Sequence, residues 1–227
     1  LRIDKNAYLR IPNMVFKLFR DIFNAISIIS IAVLGVLNIT SIYSYAIHKY
    51  ELNKYTQLST EILMDNYKRM IYYVQNPFNK ELVFNNLPMS NFGKIHFFEV
   101  KRIFIALYII SIIFISVMIF KIITNKNKDF GKRVIENLNN SVNIMAFIFI
   151  FVSIMGVIDF SKTFYFFHKI FFRNDYWIFD PVADPIINAL PEEFFMIELI
   201  LIISLLILFT LVIKALYYKK HLNYKSK

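Results

Sequence analysis

Four long apolar runs constrain this chain more than any other feature. A helix needs about 20 mostly apolar residues to cross about 30 Å of hydrocarbon at about 1.5 Å per residue. Ile22 to Ile47 meets that length without a single charge, and Ile103 to Phe120 meets it between Arg102 and Lys121. Two further runs extend roughly from Val142 to Ile158 and from Phe194 to Leu216. In the last, Glu198 and Lys214 lie near the ends, where long charged side chains can snorkel to the interfaces. A soluble domain of 227 residues could not hide a 57% hydrophobic composition in one core. The expected fold is therefore an all-α membrane protein, one integral membrane domain over residues 1–227 with four transmembrane helices. The first run exceeds the roughly 7–15 residues of a secretory h-region, so it reads as a retained anchor despite Ser44-Tyr45-Ala46.

The basic residues give an orientation. Arg2, Lys5, Arg10, Lys17 and Arg20 precede the first run; Lys121, Lys126, Lys128, Lys132 and Arg133 separate the second and third; Lys214, Lys219, Lys220, Lys225 and Lys227 end the chain. Against these fifteen stand only Asp4, Asp21, Asp129 and Glu136, so three short segments carry more than the whole chain's net charge of +10. Positive flanks mark the cytoplasmic side, which places both termini there and segments 48–102 and 159–193 outside. The charge flanks membrane spans instead of forming one patch, so no nucleic-acid partner is expected. Cysteine is absent, which excludes disulfides, thiolate metal sites and a thioester intermediate.

The first outer segment carries Leu63, Tyr67, Met70, Ile71 and Val74 at helical spacing, with Pro77 as a stop. It predicts an amphipathic helix lying on the outer interface, followed by a loop from Asn76 to Phe92. The second, Ser161 to Glu193, is too rich in ionisable groups to span cheaply and too aromatic for an ordinary solvated loop. It belongs at headgroup depth. Aromatic anchoring, with Lys169 and Arg173 on lipid phosphates, would explain it without any chemistry.

Of four histidines, His48 and His221 read as structural. His96 and His168 each lie just outside a run on the same face of the membrane, with a carboxylate nearby. Glu99 follows His96 by three residues, one helical turn along the same face. Asp175 follows His168 by seven, about two turns if a helix continues. Two interfacial histidines with acidic orienters form a plausible base and acid near neutral pH. A metal bound by His96, Glu99, His168 and Asp175 is the alternative, but no compact His-Glu-x-x-His spacing supports it, and no metal or cofactor is expected. Ser90 and Ser161 lack the Gly-x-Ser-x-Gly context of a nucleophile.

The run Phe167-His168-Lys169-Ile170-Phe171-Phe172-Arg173-Asn174-Asp175-Tyr176-Trp177 continues to Asp180-Pro181, Pro191-Glu192 and Phe194-Phe195. Together with His96-Phe97-Phe98-Glu99-Val100-Lys101 and Leu63-Met64-Asp65-Asn66-Tyr67, it resembles the signature of a bacterial four-span family that includes the lipoprotein intramolecular transacylases. The resemblance implies transfer of the sn-2 acyl chain of a diacylglyceryl-cysteine to the α-amine of the same cysteine, giving a lyso-form lipoprotein. It implies membrane lipids and diacylated lipoproteins as partners and an active site at the outer leaflet interface of the cell membrane; a monomer is expected. His168 is then the general base and His96, oriented by Glu99, the acid, though the two roles could be exchanged. Arg173, Asn174 and Trp177 are candidate donors to the oxyanion. A lipid-binding or scaffold member of the same family, without catalysis, is the competing expectation; a transporter fits less well, because no span is broken by Gly or Pro.

Overall fold

Helix α1 (Lys5–Leu37) forms the axis of the molecule, and small residues make that possible. Ala25, Ser27, Ser30 and Ala32 are all buried, letting neighbouring backbones approach closely. The Ser27 and Ser30 hydroxyls donate to the carbonyls of Phe23 and Ile26, each at 2.8 Å, so neither polar group is left unpaired. The computed structural model describes residues 5–125, 127 and 129–225, with side-chain surroundings from residue 13 to residue 220. Arg2, Asp4, Lys126, Lys128 and Lys227 lie outside the described residues, and the surroundings of the Lys5, Arg10, His221 and Lys225 side chains are likewise outside them.

The other long helices are α5 (Asn91–Thr124), α6 (Phe130–Ile158) and α8 (Glu192–Lys225), and all three pack on α1. Four stretches are long and apolar enough to cross a membrane: Asn13–Leu37, Asn91–Thr124, Phe130–Ile158 and Glu192–Lys220. Half of the α1 span is buried by protein, against about a twentieth of those in α5 and α8. Ile112, Phe120, Phe147, Phe151, Ile207 and Leu211 consequently point outward in a band that suits lipid and not water. This is an integral membrane protein with four spans.

Helix α1 runs antiparallel to α5 and α6 antiparallel to α8. Asn38, just past the end of α1, and Phe23 within it meet Tyr108 and Phe114 of α5 respectively, and Asn143 of α6 accepts from Lys214 of α8 at 2.6 Å while Gly156 lies beside Leu199. The end of α1, the start of α5, the end of α6 and the start of α8 therefore share one end of the bundle.

The first apolar run does not form one helix to Ile47. The helix stops at Leu37, and a separate helix α2 (Ser41–Lys49) takes up the remaining residues. Asn38 explains the break: its amide donates to the Leu34 carbonyl at 2.7 Å, and Ile39 N closes a turn onto Val36 at 2.9 Å, satisfying the carbonyls a helix end exposes. Tyr43, Ala46 and Ile47 of α2 are buried in protein.

After the short α3 (Leu52–Thr56) comes α4 (Thr60–Gln75), the amphipathic helix expected from the sequence, capped by Ser59 and ended just before Pro77. Its apolar face covers protein and does not lie free on the membrane surface as expected. Tyr67 stacks on Tyr43 with ring centroids 4.2 Å apart, and Phe194 meets both edge-on. Loop 76–90 is tied down by Asn66, whose amide donates to the Asn85 carbonyl at 2.9 Å and whose carbonyl accepts from Asn85 N at 2.6 Å. The last elements are α7 (Phe160–Phe171), directly after α6, and a 3-10 turn at Pro185–Asn188 before α8.

Candidate active site

Two helix termini carry the histidines. At the start of α5, the Ser90 hydroxyl accepts from Gly93 N at 2.9 Å, a regular N-cap. Ser90 is itself gripped by Asp184, whose two oxygens accept from Ser90 N at 2.7 Å and from its hydroxyl at 2.6 Å. This buried carboxylate fixes the first turn of α5 to the segment before α8, and His96 follows in the second turn. Helix α7 begins with Asp159 accepting from Lys162 N at 2.9 Å and ends before Phe172, which leaves His168 in its last turn.

The two imidazoles meet. Their centroids lie 6.0 Å apart with planes inclined by 35°, and both residues are buried. Aromatic rings wall them: Phe172 at 4.8 Å and Phe179 at 5.4 Å from His96; Phe164 at 4.2 Å and Trp177 at 4.5 Å from His168. His168 Nδ1 lies 2.7 Å from the Phe164 carbonyl oxygen. A carbonyl only accepts, so Nδ1 carries the proton and Nε2 keeps the basic lone pair. Burial pulls the His168 pKa below the usual histidine value, outweighing the Phe164 carbonyl and the charge of Glu192, which push it up. Burial thus favours the neutral ring.

The remaining residues expected at the site divide. Glu99 accepts from the Asn174 amide at 2.8 Å through Oε1, while Glu99 Oε2 and His96 Nδ1 are both buried without a hydrogen-bond partner among the described residues. Glu99 thus holds Asn174 and makes no hydrogen bond to His96. Asn174 in turn accepts from Tyr176 N at 3.1 Å and, through its backbone carbonyl, from Trp177 Nε1 at 3.1 Å. Asn174 spends one of its two amide donors and Trp177 its only one on the protein, building the turn that lays the indole on His168. Arg173 is exposed and makes no hydrogen bond or ion pair among the described residues. Asp175 does not orient His168: the helix stops at Phe171, the chain turns at Asn174, and the exposed Asp175 carboxylate pairs with Lys169 instead.

Ser90 serves as a cap and Ser161 donates to Glu192 at 2.5 Å. No group of three His, Cys, Asp or Glu side chains gathers as a metal site among the described residues. Sequence reasoning missed Asp184 and Phe179. An Asp-Pro pair at Asp184-Pro185 signals a turn, but nothing local shows that the carboxylate reaches back to Ser90.

The family model of lipoprotein intramolecular transacylase Lit matches residues 19–195, a stretch that holds both histidines and the aromatic segment. The chain belongs to this family. Among solved structures, it is similar to the membrane integral lipoprotein intramolecular transacylase Lit from Bacillus cereus, at 29% identity and a TM-score of 0.79 over 94% of this chain and 98% of that one. A structure of the Bacillus cereus protein with a histidine-to-arginine substitution matches at 29% identity and a TM-score of 0.73, covering 98% and 99% of the two chains. Another, with a histidine-to-alanine substitution, matches at 27% identity and 0.69, covering 98% and 100%. No curated protein matches.

A lipoprotein transacylase of this kind takes its nucleophile from the substrate, which removes any need for a cysteine or activated serine in the enzyme. What the protein must supply is a proton acceptor, a proton donor and a place where water does not compete for the ester. Two adjoining imidazoles inside an aromatic wall are groups with the chemistry to take and give a proton.

Proposed function

We propose that this protein moves the sn-2 acyl chain of a diacylglyceryl-cysteine to the α-amine of the same cysteine, producing an N-acyl lyso-form lipoprotein. The observation that carries this reading is the meeting of His96 and His168, brought from distant parts of the chain into one aromatic pocket. The amine lone pair attacks the ester carbonyl carbon, forming a C–N bond and a tetrahedral oxyanion. His168 Nε2 takes the proton the nitrogen sheds. As the C–O bond breaks, His96 gives a proton to the departing glyceryl oxygen and recovers one from His168, so the pair ends as it began. Arg173, which makes no hydrogen bond or ion pair among the described residues, is a donor available to the oxyanion, and the second N–H of the Asn174 amide can join it, whereas the single donor of Trp177 is engaged by the Asn174 carbonyl.

The site lies at the bundle end opposite Lys17, Lys121, Lys132 and Lys214. With the positive flanks in the cytoplasm, both termini face inward and the histidines sit at the outer leaflet, at the depth of a lipoprotein's glyceryl ester. One chain contains the whole pair, so a monomer suffices, with membrane lipid and diacylated lipoprotein as its partners and no nucleic acid.

The test is expression in a bacterium whose lipoproteins are diacylated with free N-termini, followed by tandem mass spectrometry of the N-terminal lipopeptide. The expected result is an unchanged peptide mass with one acyl chain moved from glycerol to nitrogen. No movement, with the protein folded and inserted, would overturn the proposal in favour of a lipid-binding or scaffold role.

A further inference from the structure

One carboxylate in the site has an unexplained half. Glu99 Oε1 is engaged by Asn174, but Oε2 is buried and accepts nothing among the described residues. A buried anionic oxygen without a donor is costly to keep, more so than a neutral one, and such a group signals a missing partner. The missing partner must be a donor, and a cation satisfies a carboxylate best. Asp175, the other acidic residue of the aromatic turn, is already paired with Lys169, and Glu192 is hydrogen-bonded to Ser161.

Glu99 is well placed for such a cation. It sits one helical turn beyond His96, and its bond to Asn174 ties it to the turn that stacks Trp177 on His168. The Asn174 bond also fixes the carboxylate, so that the free oxygen is held ready and costs little further ordering on binding.

We propose that Glu99 Oε2 receives the α-ammonium of the incoming lipoprotein, making Glu99 the residue that selects a free N-terminus before transfer. The inference rests on the transacylase reading of the same pocket. Bound there, the ammonium sits beside the imidazoles; it releases one proton to bulk water to become the neutral amine, and the second, shed after the C–N bond forms, is the one that passes to His168 and on to the glyceryl oxygen. An N-terminus already acylated has no positive charge and a single N–H where the ammonium has three, so it leaves Oε2 poorly paired and is rejected. The same residue would then explain how product leaves: transfer converts the ammonium to an amide and removes the charge that held it.

The experiment uses the full chain reconstituted in lipid and two unreactive probes, diacyl lipopeptides whose glyceryl chains are ether-linked, one with a free α-amine and one α-N-acetylated. Wild type is expected to bind the free-amine probe at least about 10-fold more tightly. Glu99→Gln keeps an oxygen for Asn174 but loses the charge. It should abolish that preference by weakening the free-amine probe alone, with the acetylated probe unchanged. A preference that survives Glu99→Gln overturns the proposal, and so does an equal loss of both probes, which would make Glu99 a shaping residue only. Transfer on the ester-linked lipopeptide is measured in parallel with wild type: if transfer occurs and the preference persists in Glu99→Gln, the ammonium site alone fails, whereas no transfer by wild type removes the transacylase reading beneath it.

Discussion

Trp177 lies stacked on His168, ring centroids 4.5 Å apart and planes inclined by 28°, while its Nε1 donates to the backbone carbonyl of Asn174 at 3.1 Å. The indole therefore does two things at once: it covers one face of the imidazole and locks the turn that places it there. Replacing Trp177 by Phe keeps a ring but loses the N–H tie. The expected outcome is a fall in kcat of about 10-fold with KM and thermal stability near wild type, because small displacements of a reacting group cost rate before they cost fold. Trp177→Ala, which removes the wall as well, should fall further. Steady-state assays on a synthetic diacyl lipopeptide, alongside a melting curve, would check both.

In the proposed mechanism the imidazole pair acts as one proton-handling unit, so its members should not contribute additively. His96→Ala and His168→Ala are each expected to lower turnover by roughly 10² to 10⁴. The double substitution should cost little more than the worse single one, since either loss already disables the unit. Single-turnover kinetics of all three variants would decide. Independent, multiplying losses would mean that the rings serve separate steps.

How much of this was legible beforehand depended on whether the relevant contact was local. The four spans were plain because hydropathy is a property of a continuous run. The end of α1 was not, because Asn38-Ile39-Thr40 contains neither Gly nor Pro, and the helix stops through a side-chain bond back to Leu34 that leaves the apolar run unbroken. The amphipathic face of α4 was visible in its periodicity, but whether it covered lipid or protein turned on Tyr43 and Phe194, from two other helices. Within the site, His96 and His168 could be singled out by their shared place beside a span. Asp175 was misplaced because sequence distance was read as helical rise, whereas Asn174 turns the chain and Lys169 captures the carboxylate.

The buried state of His168 has a consequence for pH. Burial disfavours the imidazolium, so the folded protein should hold this ring neutral at pH values where a free histidine, near 6.5, is already half protonated. In a titration of the ¹⁵N-labelled imidazole by NMR, the His168 signal should move only below that point. Phe172→Ala opens the pocket on both histidines and should bring the transition up towards the ordinary value. The same sign applies to stability. The unfolded chain takes up a proton that the folded one refuses, so this contribution to folding is intact above about pH 6.5 and declines as pH falls towards the depressed folded value.

Gly93 and Asp184 make the sharpest test of how the site is assembled. A Cβ on Gly93 would lie 2.4 Å from Asp184 Oδ1, well inside contact distance, and Asp184 is the carboxylate that grips Ser90 at the cap of α5. Gly93→Ala must push Asp184 away or tilt the first turn of the helix, in either case loosening a buried carboxylate from its two donors. The expected cost is about 1–3 kcal/mol of stability. It should be accompanied by a loss of turnover, since His96 rides on that turn one step further along. Gly35 and Gly156 are the controls: at each, an added Cβ would meet only a leucine methyl at 3.8 Å, an ordinary contact, and α-helical alanine is favoured over glycine. Gly35→Ala and Gly156→Ala should therefore melt at or above the wild-type temperature and retain full turnover. If Gly93→Ala behaved like these two, the Asp184 grip on Ser90 would not be what fixes the start of α5.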